Sequence, residues 1–217
     1  MKMKKRRIIF FAVVLAVVSA FVAALAVRFN LLPQKYYKAE DFGVETYISP
    51  KDKDGDGVDD QTDILTNARK YIGTKPIYKS EYYAGGYPDG KYGVCTDVVA
   101  IAMRESGYDL MELVNNHIKA HPELYPEVSV IDKNIDFRRV RNLKIYFDHT
   151  AQSLTTDLSE IEYWQGGDIV VFDGHIGIVS DRRNKKGIPW MIHNGGQPVL
   201  EEDALGRKEI IGHYRIK

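Results

Sequence analysis

Gly167-Asp168-Ile169-Val170-Val171-Phe172-Asp173-Gly174-His175-Ile176-Gly177-Ile178-Val179 is the stretch that decides the fold of this chain. Two apolar, β-branched runs flank an Asp-Gly pair, the turn chemistry that closes a hairpin. The same texture returns in Trp190-Met191-Ile192-His193 and in Gly212-His213-Tyr214-Arg215-Ile216, with Gly, Asp, Asn and Pro between the runs. Four short strands in succession predict an antiparallel sheet.

Upstream of Trp164 the period is helical. Asp63 stands where it can cap a helix running through Ile72 and stopping at Gly73. Val98, Ile101 and Ala102, with Val99 and Met103 beside them, give a helix from about Asp97 to Ser106 that ends at Gly107. That spacing sets Cys95 at a helix N-terminus. Asp109 with Glu112 opens a second helix, which cannot pass Pro122. Val140, Leu143 and Phe147 indicate a third, opened by Asp136. Helices first and strands afterwards make the class α+β.

The chain has 217 residues, 44% hydrophobic and 28% charged, which suits one globular domain with appendages. The formal charge is zero, yet Lys2, Lys4, Lys5, Arg6, Arg7 and Arg28 face no acid within residues 1–28. The remainder is therefore acidic and has no clustered basic surface of the kind a nucleic-acid partner needs. A lone cysteine excludes an intrachain disulfide framework.

Five of those cations precede Ile8 to Val27, twenty residues without a charge, enough helix to cross roughly 30 Å of hydrocarbon. The positive flank assigns the N-terminus to the cytoplasm and the body to the outside of a bacterial cell membrane, a single-pass topology with the lipid bilayer as partner. Ala24-Leu25-Ala26 also resembles a signal-peptidase site, and cleavage after Ala26 would instead release a secreted protein. The organisation expected is an anchor over 1–28, an extracytoplasmic stalk over 29–61 and a domain over 62–217.

The stalk carries Asp52-Lys53-Asp54-Gly55-Asp56-Gly57-Val58-Asp59-Asp60-Gln61-Thr62-Asp63. This fits the Asp-x-Asp-x-Asp-Gly pattern of calcium loops, with Asp52, Asp54, Asp56, Asp60 and Asp63 as ligands and Val58 between them. Position twelve is aspartate rather than glutamate, and Asp59 replaces an apolar residue. The expectation is a structural Ca2+; the alternative is a solvated acidic spacer.

A cysteine at a helix N-terminus meets unpaired amide N–H groups and a dipole that favour the thiolate. Such a thiol also needs a base. Of six histidines, His117, His121 and His149 fall in or beside helices without a chemical partner nearby, whereas His175 opens one strand and His193 ends the next. These two can supply a base and its orienting partner.

Tyr82-x-x-Gly85-Gly86, Val94-Cys95-Thr96, Gly167-Asp168, His175-Ile176-Gly177 and Ile192-His193, in that order, resemble the NlpC/CHAP-like cell-wall cysteine peptidases of the papain superfamily. Gly93-Val94-Cys95-Thr96-Asp97, Asn134 to Val140, Gly177 to Asp181, Ile192-His193-Asn194 and Gly212 to Arg215 resemble more closely a bacterial domain-of-unknown-function branch of that superfamily. The resemblance implies a papain-like fold over about 62–217. It implies a thiol peptidase or amidase acting on amide bonds, with peptidoglycan or another peptide as substrate and no cofactor in catalysis.

It also implies Cys95 as nucleophile, His175 as base and His193 as third residue. Asn194 takes that third place if the strand register differs by one, and Tyr82 would lie near the nucleophile. Where those peptidases have Asp-Cys-Ser-Gly, this chain has Val94-Cys95-Thr96-Asp97, so Asp97 is an auxiliary candidate and the bond cleaved stays open. The same chemistry serves an acyltransferase up to the thioester. A third reading is a non-catalytic wall-binding module.

Overall fold

The computed structural model describes residues 2–28, 31, 32 and 34–217; residues 29, 30 and 33 of the expected stalk lie outside the described residues. The chain divides into two units, one formed by Met1–Lys35 with Gln197–Val199, the other by Tyr36–Gly196 with Leu200–Lys217.

In the first unit, helix α1 spans Lys2–Arg28. Its most apolar window has a mean hydropathy of 3.0. Side chains from Ile8 to Leu25 are exposed. A helix that is apolar all round has no water-facing stripe, and this one is long enough to cross a membrane or to act as a signal sequence.

The second unit begins at Tyr36, well before residue 62. Tyr37 and Arg183 exchange backbone hydrogen bonds of 2.9 and 2.8 Å. Gln165 takes the Tyr47 N–H at 3.1 Å and donates to the Glu45 carbonyl at 3.0 Å. The Arg215 guanidinium lies 4.4 Å over the Tyr47 ring. From Tyr36 on, the expected stalk is thus part of the domain's surface layer.

Helix α2 spans Asp60–Gly73. It starts four residues earlier than the sequence pattern indicates because Asp59, not Asp63, caps it, accepting from the N–H groups of Gln61 and Thr62. Strands β1 (Ile77–Tyr78) and β2 (Tyr92–Gly93) form a short parallel pair that closes the Gly/Tyr/Pro loop between them. Helix α3 (Cys95–Glu105) follows β2 directly. Helix α4 (Leu110–Ala120) is capped by Asp109, as its sequence indicates.

The expected third helix is divided. Asp132 caps a short α5 (Lys133–Asp136), and α6 (Val140–Thr150) begins afresh after Arg139. Asp136 does not open α6; its carboxylate turns back to the Asp132 N–H at 2.8 Å and ends α5.

The sheet is antiparallel throughout, in the order β3-β8-β4-β5-β6-β7. The four expected strands are β4 (Ile169–Phe172), β5 (His175–Arg183), β6 (Pro189–Ile192) and β8 (Ile210–Arg215). Two-residue edges, β3 (Gln152–Ser153) and β7 (Glu201–Glu202), complete it. Strand β4 is buried on both faces, which explains its unbroken apolar run. Ile169 and Val171 join Ile64, Val98, Val99 and Phe147 beneath the helices, whereas Val170 and Phe172 pack with Trp164, Met191 and Leu205 on the opposite face.

A fully buried carboxylate, Asp168, ties these parts together. It accepts from the Arg215 fork at 2.7 and 2.8 Å, from His213 at 3.0 Å, from Gln61 of α2 at 2.8 Å and from the Gln165 N–H at 2.9 Å. Trp164 stacks on His213 at 3.8 Å. Removing one partner of a buried ion pair leaves the other uncompensated. Asp168→Ala is expected to lower unfolding stability by about 3–5 kcal/mol in urea titration. The Asp168→Ala/Arg215→Met double variant should regain part of the loss, and a single-variant cost near zero would show that the network does not hold the sheet.

Candidate active site

Cys95 is the first residue of α3, placed there by the turn at Gly93-Val94. That turn is tight: a Cβ on Gly93 would run into the Tyr71 hydroxyl. Asp97, fully buried, accepts the Val94 N–H at 2.8 Å and both arms of Arg138 at 2.8 Å. Arg138 also donates to the Glu81 carbonyl and lies 5.2 Å over the Tyr83 ring. Asp97 therefore braces the start of the cysteine helix and the loop before it, without touching the thiol through a hydrogen bond.

Asn194 is buried and likewise positional. Its amide donates to the carbonyls of Pro76 at 3.1 Å and Gly93 at 3.2 Å, and its oxygen accepts the Gly196 N–H. This orientation ties β1 and β2 to the end of β6. The register directs His193, not Asn194, to His175.

The packing of α3 on β5 brings the thiol to the start of that strand. The backbone amides of Ile176, Thr96 and Cys95 itself favour the charged form of the thiol. His175, the neighbour of Ile176, sits at the hairpin turn, and its Nε2 lies 2.8 Å from Nδ1 of His193. His193 Nε2 in turn lies 3.3 Å from Oε1 of Glu202 on β7, whose other oxygen accepts from Arg207 at 2.7 Å. Among the described residues the thiol and the His175 ring make no direct hydrogen bond. Contacts of this kind often tighten only when substrate binds.

The two rings share one hydrogen bond, and its direction depends on their tautomers: with the His193 proton on Nε2, towards Glu202, His175 donates from its Nε2 and keeps a lone pair on Nδ1.

Electrostatics differ from the expectation for a helix N-terminus. Cys95 is 8% exposed. Burial pushes its thiol up, and the three N–H groups offset only part of that effect. Burial first, then His193 and Lys208, push His175 down to about 4. Both groups therefore rest neutral near pH 7 rather than as a thiolate–imidazolium pair.

Tyr82 is 56% exposed, with Arg138 and Arg139 5.9 and 5.8 Å from its ring. It borders a cavity of about 480 Å³ lined also by Arg141, Lys144 and the Asp173-Gly174 turn. His117 on α4, His121 just after it and His149 on α6 gather, with ring centroids 4.8 Å (117–121) and 5.6 Å (117–149) apart; the four-residue spacing shows the first pair, and only the fold brings His149 to it. Sequence reasoning also missed Glu202, Arg207 and Arg138. Only an acid or base at a strand end or after a helix marks them, and their partners are 5 to 57 residues away.

In the acidic loop, Asp52, Asp54 and Asp56 can present carboxylate oxygens within 4.8 Å of one another. Val58 donates its N–H to Asp56 at 2.8 Å. Asp60 turns inward to the Lys53 N–H at 2.7 Å and the Tyr108 hydroxyl. Asp63 is pushed up to about 6 by burial and by repulsion from Asp56, Asp54, Asp52 and Asp60.

Comparison with known proteins places residues 65–216 within the model of a family described as a domain of unknown function, DUF1287. A relative from Escherichia coli strain K12, described as uncharacterized protein YijF, is 37% identical over 164 residues, covering 70% of this chain and 80% of its own length. No solved structure matches.

A depressed histidine has a readable sign. The unfolded chain takes up a proton near pH 6.5, whereas folded His175 does so only near 4. Its contribution to stability is therefore complete above the first value and is lost as pH falls towards the second. NMR titration of His175 is expected to give a midpoint near 4. A midpoint at or above 6.5 would show a solvated ring and break the directional reading.

Proposed function

This chain belongs to the DUF1287 family, and we propose that it is a thiol-dependent amide hydrolase with a papain-like NlpC/CHAP arrangement, acting on peptidoglycan outside the cell. The observation that carries this reading is the pairing of His175 with His193 at 2.8 Å, at the start of the strand on which the Cys95 helix packs, with Glu202 and Arg207 behind it.

The mechanism starts from neutral groups. As Sγ of Cys95 attacks a substrate carbonyl, its proton passes to Nδ1 of His175. The carbonyl oxygen gains charge beside amide N–H groups at the start of α3, which stabilise it. The C–N bond then breaks, and the leaving amine takes the proton from His175. Water adds to the Cys95 thioester with His175 again receiving a proton, and the tetrahedral adduct expels the thiol and a carboxylic acid. His193, held by Glu202, keeps the His175 ring in the tautomer that can repeat this cycle. Tyr82 and the basic groups around its cavity offer contacts for the carboxylates of a peptide stem.

A wall-binding module would need no such pairing, and an acyltransferase differs only in the acceptor of the thioester. Incubation of the full-length protein with purified peptidoglycan, followed by mass spectrometry, distinguishes the three readings. Released stem fragments with a new carboxylate indicate hydrolysis, new amide links indicate transfer, and retention without chemistry indicates binding. Cys95→Ala is expected to abolish release, His175→Ala to slow it about 10²–10⁴-fold, and Glu202→Gln to slow it less. Release at the wild-type rate by Cys95→Ala would exclude thiol catalysis.

Helix α1 supports a membrane anchor, with the basic residues before Ile8 on the cytoplasmic side and the domain outside. Protease added to intact cells is then expected to remove everything beyond about residue 30, and the protein to fractionate with membranes. Recovery from the medium of a chain beginning at Val27 would identify α1 as a cleaved signal instead.

A further inference from the structure

Three of the six histidines take no part in the chemistry above, and the fold gathers them where two helices end. His117 lies in the last turn of α4, His121 follows that helix, and His149 lies in the last turn of α6. Their ring centroids are 4.8 Å (117–121), 5.6 Å (117–149) and 6.5 Å (121–149) apart. His117 is the centre of the group. Its Nδ1 lies 2.7 Å from the hydroxyl of Tyr125, and its ring meets those of Tyr125 and Tyr146 edge-on at 5.7 and 5.6 Å. Tyr125 is 2% exposed and belongs to the segment that leaves α4, so this contact joins the segment to the helix.

Charge decides how such a group behaves. The ionisable groups acting on His117 are His121 from the end of its own helix, His149 from α6 and Glu123 from the Pro122–Leu124 turn. Asp148, next to His149, is engaged by Lys144 at 2.8 Å and by the Tyr214 hydroxyl at 2.6 Å. Two helix C-termini favour a cation. Of the groups acting on His117, however, Glu123 alone is an acid, and it pairs with His121 at 3.7 Å. Burial first, then His121 and His149, push His117 below the usual histidine value.

We propose that His117, His121 and His149 form an acid-sensitive latch, which holds residues 121–131 against α4 and α6 while the rings are neutral and releases them when the rings are charged. Neutral rings pack at these separations, whereas two or three cations within 6.5 Å of one another repel. A histidine held below its usual value stabilises the closed form fully above about pH 6.5, and that contribution is lost as the pH falls through the folded value. Release therefore accompanies acidification. The latch stands on the geometry of α4 and α6 and depends on no step of the hydrolase reading.

Hydrogen exchange on the full-length protein in detergent tests this, read by mass spectrometry at about pH 8 and about pH 5 and corrected for the intrinsic pH dependence of exchange. Amides of residues 121–131 are expected to exchange at least about tenfold faster at the lower pH, the change that one pKa unit produces, while those of β4 and β5 keep their protection. His121→Gln/His149→Gln removes the neighbouring charges and leaves the contact between His117 and Tyr125. Its acid-induced rise should shrink below about threefold, and the NMR titration midpoint of His117 should move up. Protected β4 and β5 amides show in each sample that the domain is folded. Should the double variant not fold, the wild-type midpoint still decides, because a value at or above about 6.5 would overturn the latch. Equal protection of residues 121–131 at both pH values would overturn it too, as would an undiminished rise in the folded double variant.

Discussion

The domain is organised around one buried charge. Asp168 stands at the head of β4 with no access to water, and a carboxylate there is tolerable only because every lone pair it offers is used. Its partners come from α2, from the loop before β4 and from the last strand of the chain. Satisfying it requires that β8 return beside β4 instead of continuing the β4–β7 meander at its edge. The same requirement fixes where β5 lies, and β5 carries His175 to the start of α3.

Burial, more than helix position, sets the character of the site. An N-terminal thiol in solvent would gain from the helix dipole, but Cys95 is enclosed, and enclosure disfavours its charged form. The same enclosure keeps His175 neutral. Two neutral partners suit a transfer in which the proton leaves sulfur as the new bond forms. What such a site needs is a base whose lone pair already faces the thiol. Glu202, 3.3 Å from His193 Nε2, stands where it would favour a proton on that nitrogen and so leave Nδ1 of His175 able to receive one.

Much of this was legible in the sequence, for reasons that can be located. Periodicity reveals local structure, so the helix at Cys95, the Asp109 cap and the four main strands were readable from apolar spacing and turn residues. Asp59 competed with Asp63 for one cap, and Asp136 with Arg139 for one helix start; in each pair the choice depends on packing that no short window contains. Asn194 and His193 differ by a single register step, and the pairing of β5 with β6 puts His193, not Asn194, against the His175 ring. Glu202 and Arg207 carry no local mark of their role. The motif residues Asp168, His213 and Arg215 were conspicuous as a pattern, yet their common purpose, mutual neutralisation in the core, emerges only when β8 is seen beside β4. Residues 36–61 read as a stalk because they lack periodicity, and irregular chain that packs on a domain has none to show.

The central claim is that Cys95 becomes acylated by an amide substrate while His175 carries the proton. Acid-quenching the full-length protein during incubation with peptidoglycan, then weighing the Cys95 peptide, tests this most directly. The account predicts an added mass equal to a peptidoglycan stem fragment, removed by neutral hydroxylamine as a thioester must be. An unmodified Cys95 peptide at every time point, while the wall is nevertheless cleaved, would contradict it.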